Sequence, residues 1–279
     1  MTAPLEPGRV AELAEGVRRL VAPNPGLMTG QGTNTYLVGR REIAVIDPGP
    51  AIEEHQRAVL ENAGGSIRWI LVTHTHSDHS PGAAMLREIT GAATLGRPPP
   101  SGRHQDPSFR PERVLDDGER LSTPEFGLEA IHTPGHASNH LCYLHEGLNW
   151  LFTGDHIIDG STVVIDPPDG DMAAYLDSLA KLKRRSVAAI APGHGNVIGN
   201  PGEAIDRLVE HRLAREAKVV SVLALHPGST LESLVAHVYD DVSRALHAIA
   251  ARSLLAHLEK LEAESRARRD ADRWRIANP

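Results

Sequence analysis

Three histidines and one aspartate lie within six residues of one another, in the segment HTHSDH at residues 74–79. In an extended chain His74 and His76 alternate, so both imidazoles can face the same way, and Asp78 and His79 follow as the chain turns. Solvated turn residues are the alternative, and the rarity of histidine disfavours it. Imidazole and carboxylate donors without thiolate suit Zn²⁺, and also Mn²⁺ or Fe²⁺. The segment therefore predicts a metal site.

The same kind of donor recurs at three further points where an apolar run ends beside a glycine. His136 follows Pro134-Gly135, Asp155 follows Gly154, and His194 lies between two glycines. Two metal ions need about seven protein ligands if each ion keeps an open position for water or substrate. The sequence therefore predicts a centre for two ions, with Zn²⁺ as the first choice. The predicted ligands are His74, His76, Asp78, His79, His136, Asp155 and His194.

The composition limits the classes of function. The chain has 279 residues, 41% of them hydrophobic, and a net charge of −7, which argues against broad basic surfaces for nucleic acid or anionic membranes. A single cysteine, Cys142, excludes an internal disulfide, and its apolar neighbours predict a core position. No apolar run is long enough for a membrane span or a signal peptide. We expect a cytoplasmic protein without a membrane or disulfide partner; a homodimer is compatible with the sequence.

Periodicity predicts where these residues are positioned. Strands are predicted at 33–38, 42–47, 67–73, 112–115, 127–132, 140–145, 148–153 and 187–191. Helices are predicted at 51–63, from Pro81 onward, and at 172–184. This alternation indicates an α/β fold with two packed sheets covered by helices. After about residue 200 three helical patterns follow, at 203–225, 230–240 and 244–267, and the chain end could form a β wing. We therefore predict a catalytic domain at 1–200 and a winged-helix-like domain at 201–279.

The signature HTHSDH resembles the HxHxDH motif of the metallo-β-lactamase superfamily. The segments NPGLMTGQGTNTYLVG, IDPG, THTHSDH, HTPGHASNH, LFTGDH and PGHG resemble, in this order, the branch of beta-lactamase-like protein 2 and its bacterial relatives. The resemblance covers about residues 22–276. It implies a four-layer αββα sandwich followed by a small winged-helix-like domain.

The resemblance also implies how the ligands are divided. His74, His76 and His136 would bind one ion, Asp78, His79 and His194 the other, and Asp155 would bridge the two. A hydroxide shared by both ions would be the nucleophile, with Asp78 and Asp155 as the catalytic carboxylates. Asp47 is a candidate to accept a hydrogen bond from the ring nitrogen of a ligand histidine that does not bind metal. A turn-capping role for Asp47 is the alternative.

Other residues near these motifs have two interpretations each. Asn34 is expected to form a hairpin and to donate a hydrogen bond near the site. His140 could contact substrate or metal, but a surface or hydrogen-bonding role is favoured. His156 could be an additional donor, but a packed side chain is favoured. The loop at 96–111, with three arginines and His104, could be a lid over an anionic substrate, although a solvated loop is favoured.

Some members of the branch that the chain resembles act as endoribonucleases, so the leading prediction is cleavage of phosphodiester bonds in single-stranded RNA. Against it, residues 201–279 contain 12 Lys and Arg and 12 Asp and Glu, so they carry no net basic charge. The alternative substrate is a small molecule: a thioester, ester or lactone, or weakly a β-lactam. A non-enzymatic nucleic-acid-binding protein is disfavoured, because such proteins lose ligands and this chain has all seven.

Overall fold

The computed structural model describes residues 5–102 and 104–277, which form two compact units. The first unit contains the chain up to Thr133, Asn139–Val163 and Lys183–Pro201; the second contains Pro134–Ser138, Val164–Leu182 and the chain from Gly202. The predicted division at residue 200 stays a prediction. Arg103, one of the three arginines of the 96–111 loop, lies outside the described residues. Among the residues described, no helix is both long and apolar enough to cross a bilayer.

One sheet of the first unit has seven strands that lie side by side in chain order. They are β1 (Ala11–Ala14), β2 (Val17–Val21), β3 (Asn34–Val38), β4 (Glu42–Ile46), β5 (Ser66–Leu71), β6 (Ala93–Gly96) and β7 (Arg113–Val114). The pairs from β1 to β4 are antiparallel and those from β4 to β7 are parallel. Parallel neighbours need a crossover, which α1 (Glu53–Asn62) and α2 (Gly82–Thr90) provide for β4–β5 and β5–β6.

The second sheet of this unit has five strands in the order β12-β11-β10-β9-β8. Their bounds are β8 (Arg120–Ser122), β9 (Gly127–His132), β10 (Leu141–His145), β11 (Trp150–Gly154) and β12 (Ala189–Pro192). Side chains of both sheets form one core, in which the rings of Tyr36 and Phe152 lie 5.0 Å apart. The other face of the seven-stranded sheet is covered by α1 and α2 through Val59 and Leu86. Apolar burial on both faces explains the aliphatic run of β4, in which residues 43–46 are all buried.

The second unit is mainly helical and ends in a small sheet. Its elements are α3 (Met172–Lys183), α4 (Pro201–Leu225), β13 (Ser229–Thr230), α5 (Leu231–Val238), a 3₁₀ turn at Arg244–Leu246, α6 (His247–Ala263), β14 (Ala267–Asp270) and β15 (Arg273–Ile276). Thr230 caps α5, since its side chain accepts a hydrogen bond from the Ser233 amide. Trp274 of β15 is 1% exposed and packs in a cluster with Leu254 and Leu258 of α6. Helices followed by an antiparallel strand pair confirm the predicted winged helix.

The fold class predicted from the sequence is confirmed, and the predicted strands and first-unit helices end within two residues of the observed ones. The predicted helix at 244–267 is wrong at both ends, because it begins with a 3₁₀ turn and stops at Ala263. Ser265 has a left-handed φ of 59°, and the amide of Arg266 donates to the carbonyl of Leu261 at 2.8 Å. This is a Schellman ending, which terminates the helix and begins the wing.

Candidate metal centre

The segment that carries four of the predicted ligands leaves the seven-stranded sheet beside Asp47. β4 and β5 are parallel, with Ile46 opposite Leu71, so the residues after both strands leave at one edge. Asp47 comes directly after β4, and residues 73–79 follow β5. The carboxyl ends of parallel strands are the usual place for a site in an open α/β sheet. The register of this one strand pair therefore brings Asp47 to the HTHSDH segment.

Asp155 and His194 are brought together in the same way by the second sheet. β11 and β12 are parallel, with Gly154 opposite Pro192, and the amide of Gly193 donates to the carbonyl of Gly154 at 2.8 Å. A Cβ atom on Gly193 would lie 2.8 Å from Asp155 Oδ1 and 2.8 Å from a ring carbon of His79. Only glycine allows the backbone to pass this close to both side chains.

Two histidines and two aspartates converge on one point. His79 Nε2 lies 3.3 Å from Asp78 Oδ2 and 3.4 Å from Asp155 Oδ1. His194 Nε2 lies 3.3 Å and 3.2 Å from the same two oxygens. The His79 side chain is fully buried, whereas that of Asp78 is 24% exposed. The cluster is therefore covered on the histidine side and open on the side of Asp78.

The charges in this cluster shift the pKa values of all four groups. Burial lowers the pKa of His79, but the carboxylates of Asp78, Asp155 and Asp47 outweigh it and hold that pKa well above the usual value. Burial also lowers the pKa of His194, but the carboxylates of Asp155 and Asp78 outweigh it and raise that pKa to about 10. Burial raises the pKa values of Asp78 and Asp155, yet the neighbouring imidazoles lower both below the ordinary range. Without a metal ion, therefore, both aspartates are ionised and both imidazoles are protonated at neutral pH.

His74 and His76 lie at the same edge. His74 Nε2 and His76 Nδ1 are 3.0 Å apart, and the ring centroids of His74 and His79 are 4.3 Å apart. Ligand atoms of His74, His79 and Asp155 all lie within 4.8 Å of one another, as do those of Asp78, His79 and His194.

His136 belongs to the Pro134–Ser138 segment of the second unit. Its Nδ1 lies 2.7 Å from the carbonyl oxygen of Val164, so this nitrogen donates and Nε2 would be the metal-binding atom. Its place in the ligand set stays a prediction.

The chemistry of these donors fits a divalent metal ion. His79 Nε2 is buried, and although carboxylate oxygens of Asp78 and Asp155 lie 3.3 and 3.4 Å away, it forms no well-aligned hydrogen bond with any described residue. Such a nitrogen is costly unless something accepts its lone pair or its proton. The donors are imidazole and carboxylate groups, and Cys142 is buried in β10, where its sulfur lies 3.3 Å from Thr133 Oγ1. A set without thiolate suits Zn²⁺, Mn²⁺ or Fe²⁺.

Asp47 is in contact with a predicted ligand. Its Oδ2 lies 2.9 Å from His79 Nδ1, and its Oδ1 accepts the amide of Thr73 at 2.7 Å. Asp47 has a φ of 50°, a left-handed conformation that aspartate tolerates better than most residues. Sequence reasoning singled out Asp47 but missed Thr73, although Thr73 directly precedes the HTHSDH segment.

The strand β3 holds the segment that carries His194. Asn34 Nδ2 donates to the carbonyls of Pro192 and Gly195, both at 2.9 Å, and the hydroxyl of Tyr36 donates to Pro192 at 2.7 Å. Asn34 therefore acts here on the backbone around His194. Just before β3, Thr33 Oγ1 donates to Asp78 Oδ2 at 3.1 Å. Sequence reasoning took Thr33 and Tyr36 only as strand residues, because their contacts depend on how the strands meet.

His140 and His156 are both fully buried beside the site. The His140 ring stacks on His74 with centroids 5.0 Å apart, and its Nδ1 lies 3.0 Å from Thr133 Oγ1. The His156 ring is 5.8 Å from that of His140. Among the described residues neither histidine belongs to a group that could hold a metal ion. His140 is therefore a buried residue with a hydrogen bond to Thr133 and not a surface residue, and His156 packs beside it.

The loop after β6 is fixed to the HTHSDH segment. The amide of Asp106 donates to the carbonyl of Thr75 at 2.6 Å, and Gln105 pairs with His76 in an isolated antiparallel bridge. A pocket of about 420 Å³ opens in this loop. Its described lining residues are Pro98, Pro99, Pro100, Ser101, Gly102, Gln105, Pro107 and Arg110. Half of these residues are prolines, and Gln105 also pairs with the edge of the site.

Two known protein families match successive parts of the chain. Residues 28–194 match the family described as the metallo-beta-lactamase superfamily, and residues 230–274 match the beta-lactamase associated winged helix domain. The chain is 32% identical over 260 residues to a beta-lactamase-like protein 2 homolog of Caenorhabditis elegans, which covers 90% of this chain and 86% of that protein. It is 35% identical over 218 residues to thioesterase pkgB of Emericella nidulans, covering 77% of this chain and 61% of that one. A metallo-beta-lactamase family protein of Thermus thermophilus, at 22% identity, has the same fold with a TM-score of 0.80 over 95% of this chain and 100% of that one.

Proposed function

Because the chain belongs to the metallo-β-lactamase superfamily, a family of hydrolases, we propose that it hydrolyses its substrate with two divalent metal ions, Zn²⁺ being preferred. The observation that carries the proposal is the convergence of His79 and His194 on the carboxylates of Asp78 and Asp155 at 3.2 to 3.4 Å. The proposed ligands are His74, His76, Asp78, His79, His136, Asp155 and His194. Bound ions of this kind supply Lewis acidity and lower the pKa of a water molecule towards neutrality.

The side chains of the cluster would have different tasks. Asp155 lies beside both His74 and His79, so it is suited to hold the two ions at a fixed separation. Asp78 is the more exposed carboxylate and is held by Thr33, so it faces the substrate side in one orientation. There it would orient the attacking water and accept its proton. No serine or cysteine nucleophile is needed.

A small thioester or ester is the substrate that the observations favour. The pocket beside Gln105 has about 420 Å³, within the range of small-molecule sites, and is lined by four prolines. Such a lining suits an apolar acyl group placed next to His76. The similarity to a protein named thioesterase supports a thioester carbonyl at the metal centre. We propose that the 96–111 loop forms an acyl-binding wall and not a lid for an anion.

Single-stranded RNA is the second candidate, supported by similarity over most of the chain to a beta-lactamase-like protein 2 homolog and by the winged helix. The arginines of the wing weaken this candidate, because many have partners within the protein. Arg266 contacts Glu216 and Glu264, and Arg275 contacts Asp270. Arg273 donates to the carbonyl of Gly228. Phosphate contacts would have to replace these interactions.

One experiment separates the two substrates. The zinc-loaded full chain is incubated with an acyl thioester, labelled single-stranded RNA and a chromogenic β-lactam. Asp78→Ala and a chelator-treated sample are run beside it. His226→Ala is the matched control, since it removes a histidine that belongs to no ligand group. We expect metal-dependent thioester cleavage that Asp78→Ala abolishes and His226→Ala retains. Cleavage of RNA alone would refute the thioester proposal, and no turnover of any substrate would refute hydrolysis of these classes.

A further inference from the structure

A chain of buried hydrogen bonds joins Asp47 to His74 through the hydroxyl of Thr73. Thr73 Oγ1 donates to Asp47 Oδ2 at 2.8 Å and lies 3.0 Å from His74 Nδ1. The same Oδ2 lies 2.9 Å from His79 Nδ1. All four residues are at most 2% exposed. One carboxylate therefore contacts His79 directly and His74 through a single intervening hydroxyl.

The direction of each hydrogen bond follows from the number of protons available. A carboxylate can only accept, and a threonine hydroxyl has one proton to donate. Since that proton goes to Asp47, Thr73 Oγ1 must accept from His74, so His74 Nδ1 carries a proton. A histidine protonated at Nδ1 presents the lone pair of Nε2. For His74 this is the nitrogen that lies 3.0 Å from His76 Nδ1, at the predicted metal edge.

The Thr73 backbone and hydroxyl both lie in closely packed surroundings. The Thr73 amide is fixed to Asp47 Oδ1 at 2.7 Å. A Cβ on Gly154 would lie 2.3 Å from Thr73 Oγ1, so the backbone of the second sheet closes directly over the hydroxyl. The Thr73 hydroxyl is therefore closely packed against the backbone at Gly154.

We propose that Thr73 is a positioning residue, a relay through which Asp47 sets the tautomer of His74. Asp47 sets the tautomer of His79 by direct contact. His74 and His79 fall in different halves of the predicted ligand set, so one carboxylate prepares one histidine for each ion. The inference rests on the metal site of the proposed function. It concerns metal binding and not the substrate.

The test compares Thr73→Val, which keeps the shape and removes the hydroxyl, with Thr73→Ser, which keeps the hydroxyl. Asp47→Asn is the third variant. Zinc affinities of the full chain are measured by competition with a chelator. Nitrogen-15 correlation spectra of the zinc-loaded protein report which imidazole nitrogens carry protons. Thermal unfolding of the metal-free proteins identifies any variant that has lost its fold.

For Thr73→Val we expect one zinc affinity to fall about 10- to 100-fold, the usual effect of losing the partner of a ligating histidine. The hydrogen-bonded Nδ1 proton of His74 should also lose its protection from exchange. Thr73→Ser should restore both the zinc affinity and the protection of the His74 Nδ1 proton. Asp47→Asn should weaken zinc binding at both sites.

Thr73→Ser as weak as Thr73→Val would show that the methyl group matters and would overturn the relay. So would a wild-type spectrum in which His74 Nδ1 carries no proton, a result that needs no folded variant. Wild-type protein that binds zinc but cleaves no substrate would count against the proposed function alone. Wild-type protein that binds no zinc would overturn the metal site and the relay together.

Discussion

Metal binding should release two protons from His79 and His194 at neutral pH. In the metal-free protein the pKa of His194 is raised to about 10 and that of His79 is also raised, mainly by Asp78 and Asp155 working against burial. Both imidazoles therefore carry a second proton at pH 7, which must leave when Nε2 binds an ion. Asp78 and Asp155 are already ionised and release none.

The size of the effect follows from this proton count. Each proton released makes the apparent affinity rise tenfold per pH unit, so two protons give about 100-fold, or about 2.7 kcal/mol, per unit. The rise should continue from about pH 6.5 until the imidazoles lose their second protons in the metal-free protein, near the pKa of about 10 for His194. Above that point the affinity should level off.

Calorimetric titration of the metal-free chain with zinc, repeated in buffers of different ionisation enthalpy, counts the protons directly. The pH dependence of the affinity, measured by competition with a chelator whose own protonation is corrected for, should agree with that count. His237→Ala is the matched control, because His237 lies on the exposed side of α5 and should leave the count unchanged. A release of one proton or fewer at pH 7 would show that the cluster does not hold both imidazolium ions.

Three further predictions concern stability and the pocket. Burial lowers the pKa of His257 to about 3, so the folded chain excludes a proton that the unfolded chain binds below pH 6.5. The wild-type protein should therefore lose about 1.4 kcal/mol of unfolding free energy per pH unit between about pH 6 and pH 4 because of this histidine. His257→Leu should remove this loss, as measured by urea unfolding. Ser265 adopts a left-handed φ of 59°, so Ser265→Gly should raise the unfolding free energy by about 1 kcal/mol whereas Ser265→Ala should not. The double variant Pro99→Ala and Pro100→Ala removes apolar pocket surface and should raise KM for an apolar thioester about fivefold with kcat unchanged. An unchanged KM would refute the acyl-binding wall.

The residues of the proposed metal site could be singled out because several of them follow a recognisable local signal. Asp155 and His194 come directly after apolar runs that end in glycine, and the run before His74 is long and aliphatic. Local signals of this kind do not depend on which strands pair. These residues could therefore be proposed as ligands before the sheet order was known.

The parts that escaped prediction depend on contacts between distant residues. β1 and β2, at Ala11–Ala14 and Val17–Val21, contain alanine, glutamate and arginine, which favour helix or no structure locally. They are strands because β2 pairs with β3, with Leu20 opposite Thr35, and β1 pairs with β2 at the edge of the sheet. The role of Thr73 was hidden for the same reason. Its hydroxyl has a partner only because β4 and β5 are parallel in this register.

The charge balance of the cluster explains how so acidic a site can form before any metal arrives. Buried carboxylates without partners are costly, and Asp78 and Asp155 lie within 3.4 Å of the same imidazole nitrogen. In the metal-free protein the second protons of His79 and His194 supply two positive charges against them. Binding one divalent ion at these four side chains replaces two protons by two charges, so the net charge of the buried cluster does not change. A site that exchanges protons for metal in this ratio can be fully folded in both states, and removing either histidine should destabilise the metal-free protein as well as weaken metal binding.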